Sequence, residues 1–135
     1  MSKASPPVQK YMTAAPHTIG AGQTVREASD LMRQHSIRHL PVLKGEHLMG
    51  MLSERDVAVI SAFKDVDPGR VPVEQAMSED PYTVGPDTPV NEVAAKMAAN
   101  RYGSAIVVHN RKVVGVFTAV DACRVLAEVF DTRLK

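Results

Sequence analysis

The phrase Gly50-Met51-Leu52-Ser53-Glu54-Arg55-Asp56 returns as Gly115-Val116-Phe117-Thr118-Ala119-Val120-Asp121, 65 positions later in a chain of 135 residues. A repeat of this length restricts the chain to two copies of one supersecondary unit. A unit of about 60 residues buries little core alone, so the copies are expected to share their burial.

The register extends well beyond the phrase. Pro7, Val8, Met12, Pro16, Thr18, Gly20, Val25 and Glu27 recur, without a gap, as Pro72, Val73, Met77, Pro81, Thr83, Gly85, Val90 and Glu92. Met32, Val42, Gly50, Asp56 and Ala62 recur as Met97, Val107, Gly115, Asp121 and Ala127. Other pairs, such as Leu52 with Phe117 and Ile60 with Val125, keep bulk rather than identity, as burial requires. The repeats span residues 7–63 and 71–130, joined by a polar Pro/Gly-containing linker at 64–70, and residues 1–6 read as a loose tail.

Each copy follows one order of elements. A brief extended piece after Pro16 or Pro81 stops at Gly20 or Gly85. Thr24 with Glu27 forms a capping-box pattern, while Thr88 before Pro89 predicts a cap with proline at the first helical position, so the helix starts could differ by one residue. Val25, Ala28 and Met32, and likewise Val90, Val93, Ala94 and Met97, share one helical face that should meet a sheet. Two hairpins follow, 39–43 with 48–52 and 105–108 with 113–117. A last helix begins after Ser53 or Thr118 and runs to about Phe63 or Val129, with Val57, Ile60 and Phe63, or Ala122, Val125, Leu126 and Val129, toward the core. The unit is strand, helix, strand, strand, helix, a mixed α/β (α+β) arrangement written twice.

Composition narrows the function classes. With 44% hydrophobic residues the chain is too apolar for disorder. Sixteen basic and fifteen acidic residues give a net charge of +1 with no block of one sign, which disfavours nucleic acid and anionic membranes as partners. A single cysteine excludes an internal disulfide framework, and no signal-peptide pattern or long apolar span is present, so a cytoplasmic location is expected.

The repeated phrase carries the chemistry. A Ser or Thr at a helix mouth exposes its hydroxyl beside unpaired backbone N–H groups, where the helix dipole favours phosphate. An Asp three residues on can accept two hydrogen bonds from a vicinal diol such as ribose, and the preceding Gly admits a ligand or a neighbouring backbone. The same Ser/Thr-x-x-Asp spacing also fits a capping box whose acid merely satisfies the N-cap amide. Capping and binding are compatible.

The element order, the repeat and the Gly-apolar-apolar-Ser/Thr-x-x-Asp phrase together resemble the cystathionine-beta-synthase (CBS) domain, here as a tandem pair, or Bateman module, covering about residues 8–129. The resemblance implies two βαββα repeats packed sheet to sheet about a pseudo-twofold axis, with clefts that bind adenosine-containing ligands. It implies a stand-alone regulatory module rather than an enzyme, with no catalytic residues and no cofactor beyond a regulatory ligand such as AMP, ADP or ATP. S-adenosylmethionine, NAD and cyclic dinucleotides share the same ribose and adenine handles.

Carried onto this chain, the resemblance places phosphate and ribose on Ser53 and Asp56 in one cleft and on Thr118 and Asp121 in the other. It implies that the opposite repeat completes each cleft: Pro81, Tyr82, Tyr102 and Gly103 near Asp56, and Pro16, His17, Ile37 and Arg38 near Asp121. Arg38, His39 and Arg55 have no basic counterparts in the second repeat, where Gly103, Ser104 and Val120 stand, so unequal affinities are expected. Each of the three could equally be a solvated edge or a salt-bridge partner. Bateman modules tend to pair through their helices, so a homodimer is expected, along with an unidentified regulated protein.

Other features carry less. His35 and His39 stand four apart but lack a completing acid or cysteine, so no metal site is expected. Cys123, without a grouped histidine and acid, reads as a small packing residue on the last helix. Met12, Met32, Met77 and Met97 recur in register and read as core. The alternative to a sensor is a CBS-fold interaction and dimerisation scaffold whose clefts stay empty.

Overall fold

A computed structural model describes residues 5–134, with side chains as far as Asp131. Residues 1–4 of the expected tail lie outside the described residues. The elements follow the repeat. In the first half they are β1 (Thr13–Ala14), β2 (Ile19–Gly20), α1 (Val25–His35), β3 (His39–Lys44), β4 (His47–Ser53) and α2 (Glu54–Ser61). In the second they are β5 (Ser78–Glu79), β6 (Thr83–Val84), α3 (Val90–Asn100), β7 (Ser104–His109), β8 (Lys112–Thr118) and α4 (Ala119–Leu134). Short 3₁₀ turns at Val8–Lys10 and Val73–Gln75 precede β1 and β5.

The chain divides into two compact units, one running from His17 to Pro81 and the other joining the residues up to Pro16 with those from Tyr82 onward. In the contiguous unit the sheet order is β2-β3-β4-β5, with β2 parallel to β3 and the rest antiparallel. In the discontinuous unit the order is β1-β8-β7-β6, with the corresponding pairings. The strand opening each repeat thus pairs with the second hairpin strand of the other repeat: Ala14 faces Gly115, and Glu79 faces Gly50.

Backbone hydrogen bonds lock these segments in place. Val8 N–H donates to Thr88 O at 2.8 Å and Val90 N–H to Pro6 O at 2.8 Å. The contiguous unit repeats the arrangement, with Val73 N–H on Gln23 O at 2.7 Å and Val25 N–H on Val71 O at 2.9 Å. Val8 and Val73 are fully buried, so each segment adds an apolar anchor as well as a strand.

Each unit has its own core. Ile19, Val25, Ala28, Met32, Leu40, Val42, Leu52 and Val73 form one, and Val8, Val90, Val93, Met97, Ala105, Val107 and Phe117 the other. The helical faces read from the sequence are therefore the buried ones. Thr24 caps α1 as expected: its Oγ1 accepts Glu27 N–H at 3.1 Å, and Glu27 reaches back to Thr24 N–H.

The expected Thr88 cap does not form. Pro89 is the N-cap of α3, which begins at Val90 in register with Val25, because the Thr88 carbonyl and the Pro89 backbone are engaged with Val8 and Pro7. The last helices also differ from expectation. Helix α2 stops at Ser61, and Phe63 stands 58% exposed rather than in the core; on α4, Leu126 and Val129 are exposed while Ala122 and Val125 pack inward. Cys123 is exposed too, because the inward face of α4 is taken by Asp121, Ala122 and Val125. Among the described residues, no helix is long and apolar enough to cross a membrane.

Candidate functional site

Strand register brings the start of β3 beside the end of β4, and the start of β7 beside the end of β8. His39 is paired with Ser53, and Ser104 with Thr118. The first amide of each following helix is drawn to that strand start: Glu54 N–H donates to Arg38 O at 2.8 Å, and Ala119 N–H to Gly103 O at 3.1 Å. Each Ser/Thr-x-x-Asp phrase therefore sits beside the strand start of its own repeat.

In the contiguous unit Ser53 caps α2. Its Oγ accepts Asp56 N–H at 3.1 Å, and Asp56 Oδ2 accepts Ser53 N–H at 2.8 Å, a complete capping box. Asp56 is half-buried, and among the described residues its Oδ1 accepts no hydrogen bond. Arg38 and Arg55 are exposed and, among the described residues, form no ion pair. His39 is half-buried; loss of solvation holds its imidazole below the usual range, Asp56 and Glu54 oppose that shift, and Arg38 adds to it. The result, among the described residues, is a carboxylate oxygen without a hydrogen bond beside a hydroxyl that caps the helix, with Arg38, His39 and Arg55 flanking the same helix start in sequence.

In the discontinuous unit the same box is more heavily bonded. Asp121 Oδ2 accepts Thr118 N–H at 2.9 Å and Thr118 Oγ1 at 3.1 Å. Its Oδ1 accepts from Arg124 Nη1 at 3.3 Å and Thr13 Oγ1 at 3.5 Å. Asp121 is only 4% exposed. Nearby in this unit Tyr82 and Tyr102 lie ring to ring at 5.2 Å, with Lys96 Nζ 5.2 Å from the Tyr82 ring centre. Burial, then Glu92 and Tyr102, push the Tyr82 hydroxyl up.

Tyr82, Tyr102, Gly103 and Pro16 lie in the unit of Asp121, and His17, Ile37, Arg38 and Pro81 in that of Asp56. The hairpin register ties residues 38 and 103 to the helix that follows their own hairpin.

Sequence reasoning did not pick out Thr13, Lys96 or Arg124. Arg124 could have been found from its i+3 spacing to Asp121 on one helix. Thr13 could not, because it reaches Asp121 from 108 residues away. His35, considered with His39, stacks on His17 at 3.7 Å instead. Among the described residues no three His, Cys, Asp or Glu are grouped to hold a metal ion. A separate hollow of about 470 Å³ opens between α1 and α2, lined by Met32, Arg33, Ser36, Ile37, Arg38 and Glu54 among others, and excludes both Ser53 and Asp56.

The gly residue of each phrase has a defined neighbour. A Cβ on Gly50 would press on the Ser78 carbonyl and lie 2.8 Å from Met77 Sδ; one on Gly115 would lie 2.8 Å from Met12 Cγ. The glycine thus makes room for the exchanged strand segment rather than for open solvent.

Comparison with known proteins places this geometry. CBS-domain protein YhcV of Bacillus subtilis is 30% identical over 84% of this chain and 81% of its own length. The protein AcuB of Vibrio cholerae superposes with a TM-score of 0.84 at 26% identity, covering 96% of each chain. The CBS domain pair of MJ0100, solved in complex with 5′-methylthioadenosine and S-adenosyl-L-methionine, superposes with a TM-score of 0.83 at 26% identity over 93% of this chain and 98% of that one. The CBS-domain family model matches twice, at residues 8–62 and 73–128, once on each copy of the repeat. Two in-register copies with the same strand exchange, each matched separately, show that this chain belongs to the CBS-domain family.

Proposed function

We propose that this chain is a regulatory module that binds adenosine-containing ligands, AMP, ADP or ATP foremost, at its two Ser/Thr-x-x-Asp helix starts and signals their occupancy to a partner protein. The observation that carries this is Asp56, whose Oδ1 accepts no hydrogen bond among the described residues at the mouth of α2, while Ser53 presents a hydroxyl three residues before it. A ribose diol would donate to that carboxylate, and Arg38, His39 and Arg55 would neutralise phosphate oxygens, Arg through a bidentate fork. The complex of the MJ0100 pair with two adenosine-containing molecules supports the ligand class.

Thermal-shift titration with AMP, ADP, ATP, S-adenosylmethionine and NAD, beside Asp56→Ala and Asp121→Ala, tests the reading. A ligand at a hundred times its dissociation constant adds about 2.7 kcal/mol per site and raises the midpoint by several degrees. A shift lost with both Asp changes supports a two-site sensor. No shift in folded protein favours the second reading, an interaction scaffold; the observation on its side is that both capping boxes are complete without a ligand.

The same reading includes a homodimer. Val59 and Phe63 near α2, and Val120, Leu126, Val129 and Phe130 on α4, are each at least 40% exposed, apolar area whose burial against a second copy is favourable. Light scattering that finds only a 14.6 kDa species removes this part.

A further inference from the structure

We propose that Arg124 and Thr13 close the Asp121 site from within the chain, so that the two copies of the phrase are unequal sites and Arg124 sets the affinity of the second. This deepens, and rests on, the reading of both phrases as ligand sites. An ionised carboxylate offers about four acceptor positions. Asp121 has a donor at each: Thr118 N–H and Oγ1 on Oδ2, and Thr13 Oγ1 and Arg124 Nη1 on Oδ1. A ribose diol must displace the donors on Oδ1 before it can bind there.

Among the described residues the first repeat has no such closure. The positions that correspond to Thr13 and Arg124 are Ser78 and Val59. Val59 carries no donor, and Asp56 accepts only Ser53 N–H among the described residues, leaving Oδ1 open. The difference comes down to one arginine against one valine, and one threonine against one serine, at equivalent places in the repeat.

The closure is a latch rather than a wall. The Arg124 side chain is 75% exposed and holds Asp121 by a single 3.3 Å contact, so water and salt compete for it. Its displacement costs a ligand a few-fold in affinity, not access altogether. The Asp56 site fills first as ligand rises, and the Asp121 site fills at a higher concentration.

Calorimetric titration of the full chain with 5′-methylthioadenosine, an adenosine derivative that keeps the diol and lacks phosphate, tests this. Asp56→Asn isolates the second site, and Asp56→Asn/Arg124→Gln removes the latch. The double variant is expected to bind about two- to fivefold more tightly than Asp56→Asn. Raising salt should strengthen binding to Asp56→Asn but not to the double variant, a response that a merely structural role for Arg124 would not produce. Equal affinities, or no binding by the double variant, overturn the proposal. If Asp121→Asn still binds through the first site in that case, only this inference falls; if Asp121→Asn is also silent, the proposed function falls with it.

Discussion

Met12 lies directly over Gly115, its Cγ 2.8 Å from where a Cβ would stand. Gly50 is overlaid in the same way by Met77, but there the carbonyl of Ser78 also closes on it. A methionine can swing aside, whereas a backbone carbonyl in the β4–β5 ladder cannot. Gly50→Ala is therefore expected to cost about 3 kcal/mol and Gly115→Ala about 1 kcal/mol, within the range for overpacking. Met12→Ala should rescue Gly115→Ala in part, while Met77→Ala should leave Gly50→Ala largely unrelieved. Denaturant titration of the four single and two double variants reads both outcomes.

The two acids should separate stability from binding. Asp121→Ala leaves Thr118 N–H without its acceptor in a nearly buried place and is expected to cost about 2–3 kcal/mol. Asp56 is half-buried and satisfies one amide, so Asp56→Ala should cost about 1 kcal/mol. Ligand-induced stabilisation should fall in the opposite order, most in Asp56→Ala. Thermal midpoints with and without AMP give both rankings from one set of proteins.

His39 makes stability depend on pH. Its folded imidazole titrates below 6.5, chiefly because it is partly stripped of water, so below that pH the unfolded chain binds the extra proton. The stability contributed by the neutral ring is fully present above about pH 6.5 and is lost as pH falls through the lowered value. One proton bounds the slope at about 1.4 kcal/mol per pH unit. Urea titrations from neutral to acid pH should show His39→Gln with a shallower fall than the parent; identical slopes would assign the pH dependence elsewhere.

A phosphate bound at Ser53 would reverse that shift by placing negative charge beside the ring. Nucleotide binding near pH 6 should then take up protons, visible as a binding enthalpy that varies with the ionisation heat of the buffer. His39→Gln should abolish the variation.

Leu126→Glu or Phe130→Glu would put a charge in the apolar face of α4. If that face meets a second copy, each variant should shift light-scattering mass toward the monomer while leaving the thermal midpoint of the monomer nearly unchanged. A mass unaffected by either change would place the interface elsewhere.

Much of the fold was legible because the repeat states it twice. The hairpins, the Thr24 cap and the buried faces of α1 and α3 follow from period and turn chemistry alone. The exchange of β1 and β5 was not legible for the same reason that the repeat was obvious. Met12 and Met77 occupy identical contexts, so the pattern is satisfied whichever glycine each one covers. At the site, the phrase and its caps could be read locally, since Ser53 and Asp56 are three residues apart. The neighbours of Gly103 and Arg38 depend on which strand edge each helix start meets, and local spacing is silent on that. Phe63 and Leu126 went astray because apolar periodicity near the end of a helix looks alike whether it faces the core or a surface.

The strand exchange also orders how the protein is made. Residues 17–81 contain every strand of one sheet, so that unit can close as soon as they have left the ribosome. Val8 and β1, synthesised before that unit, must wait for Val90 and β8, synthesised after it. The earlier-made strand is thus a later one to find its place, and until β8 emerges it stays unpaired beside a neighbour that can already close.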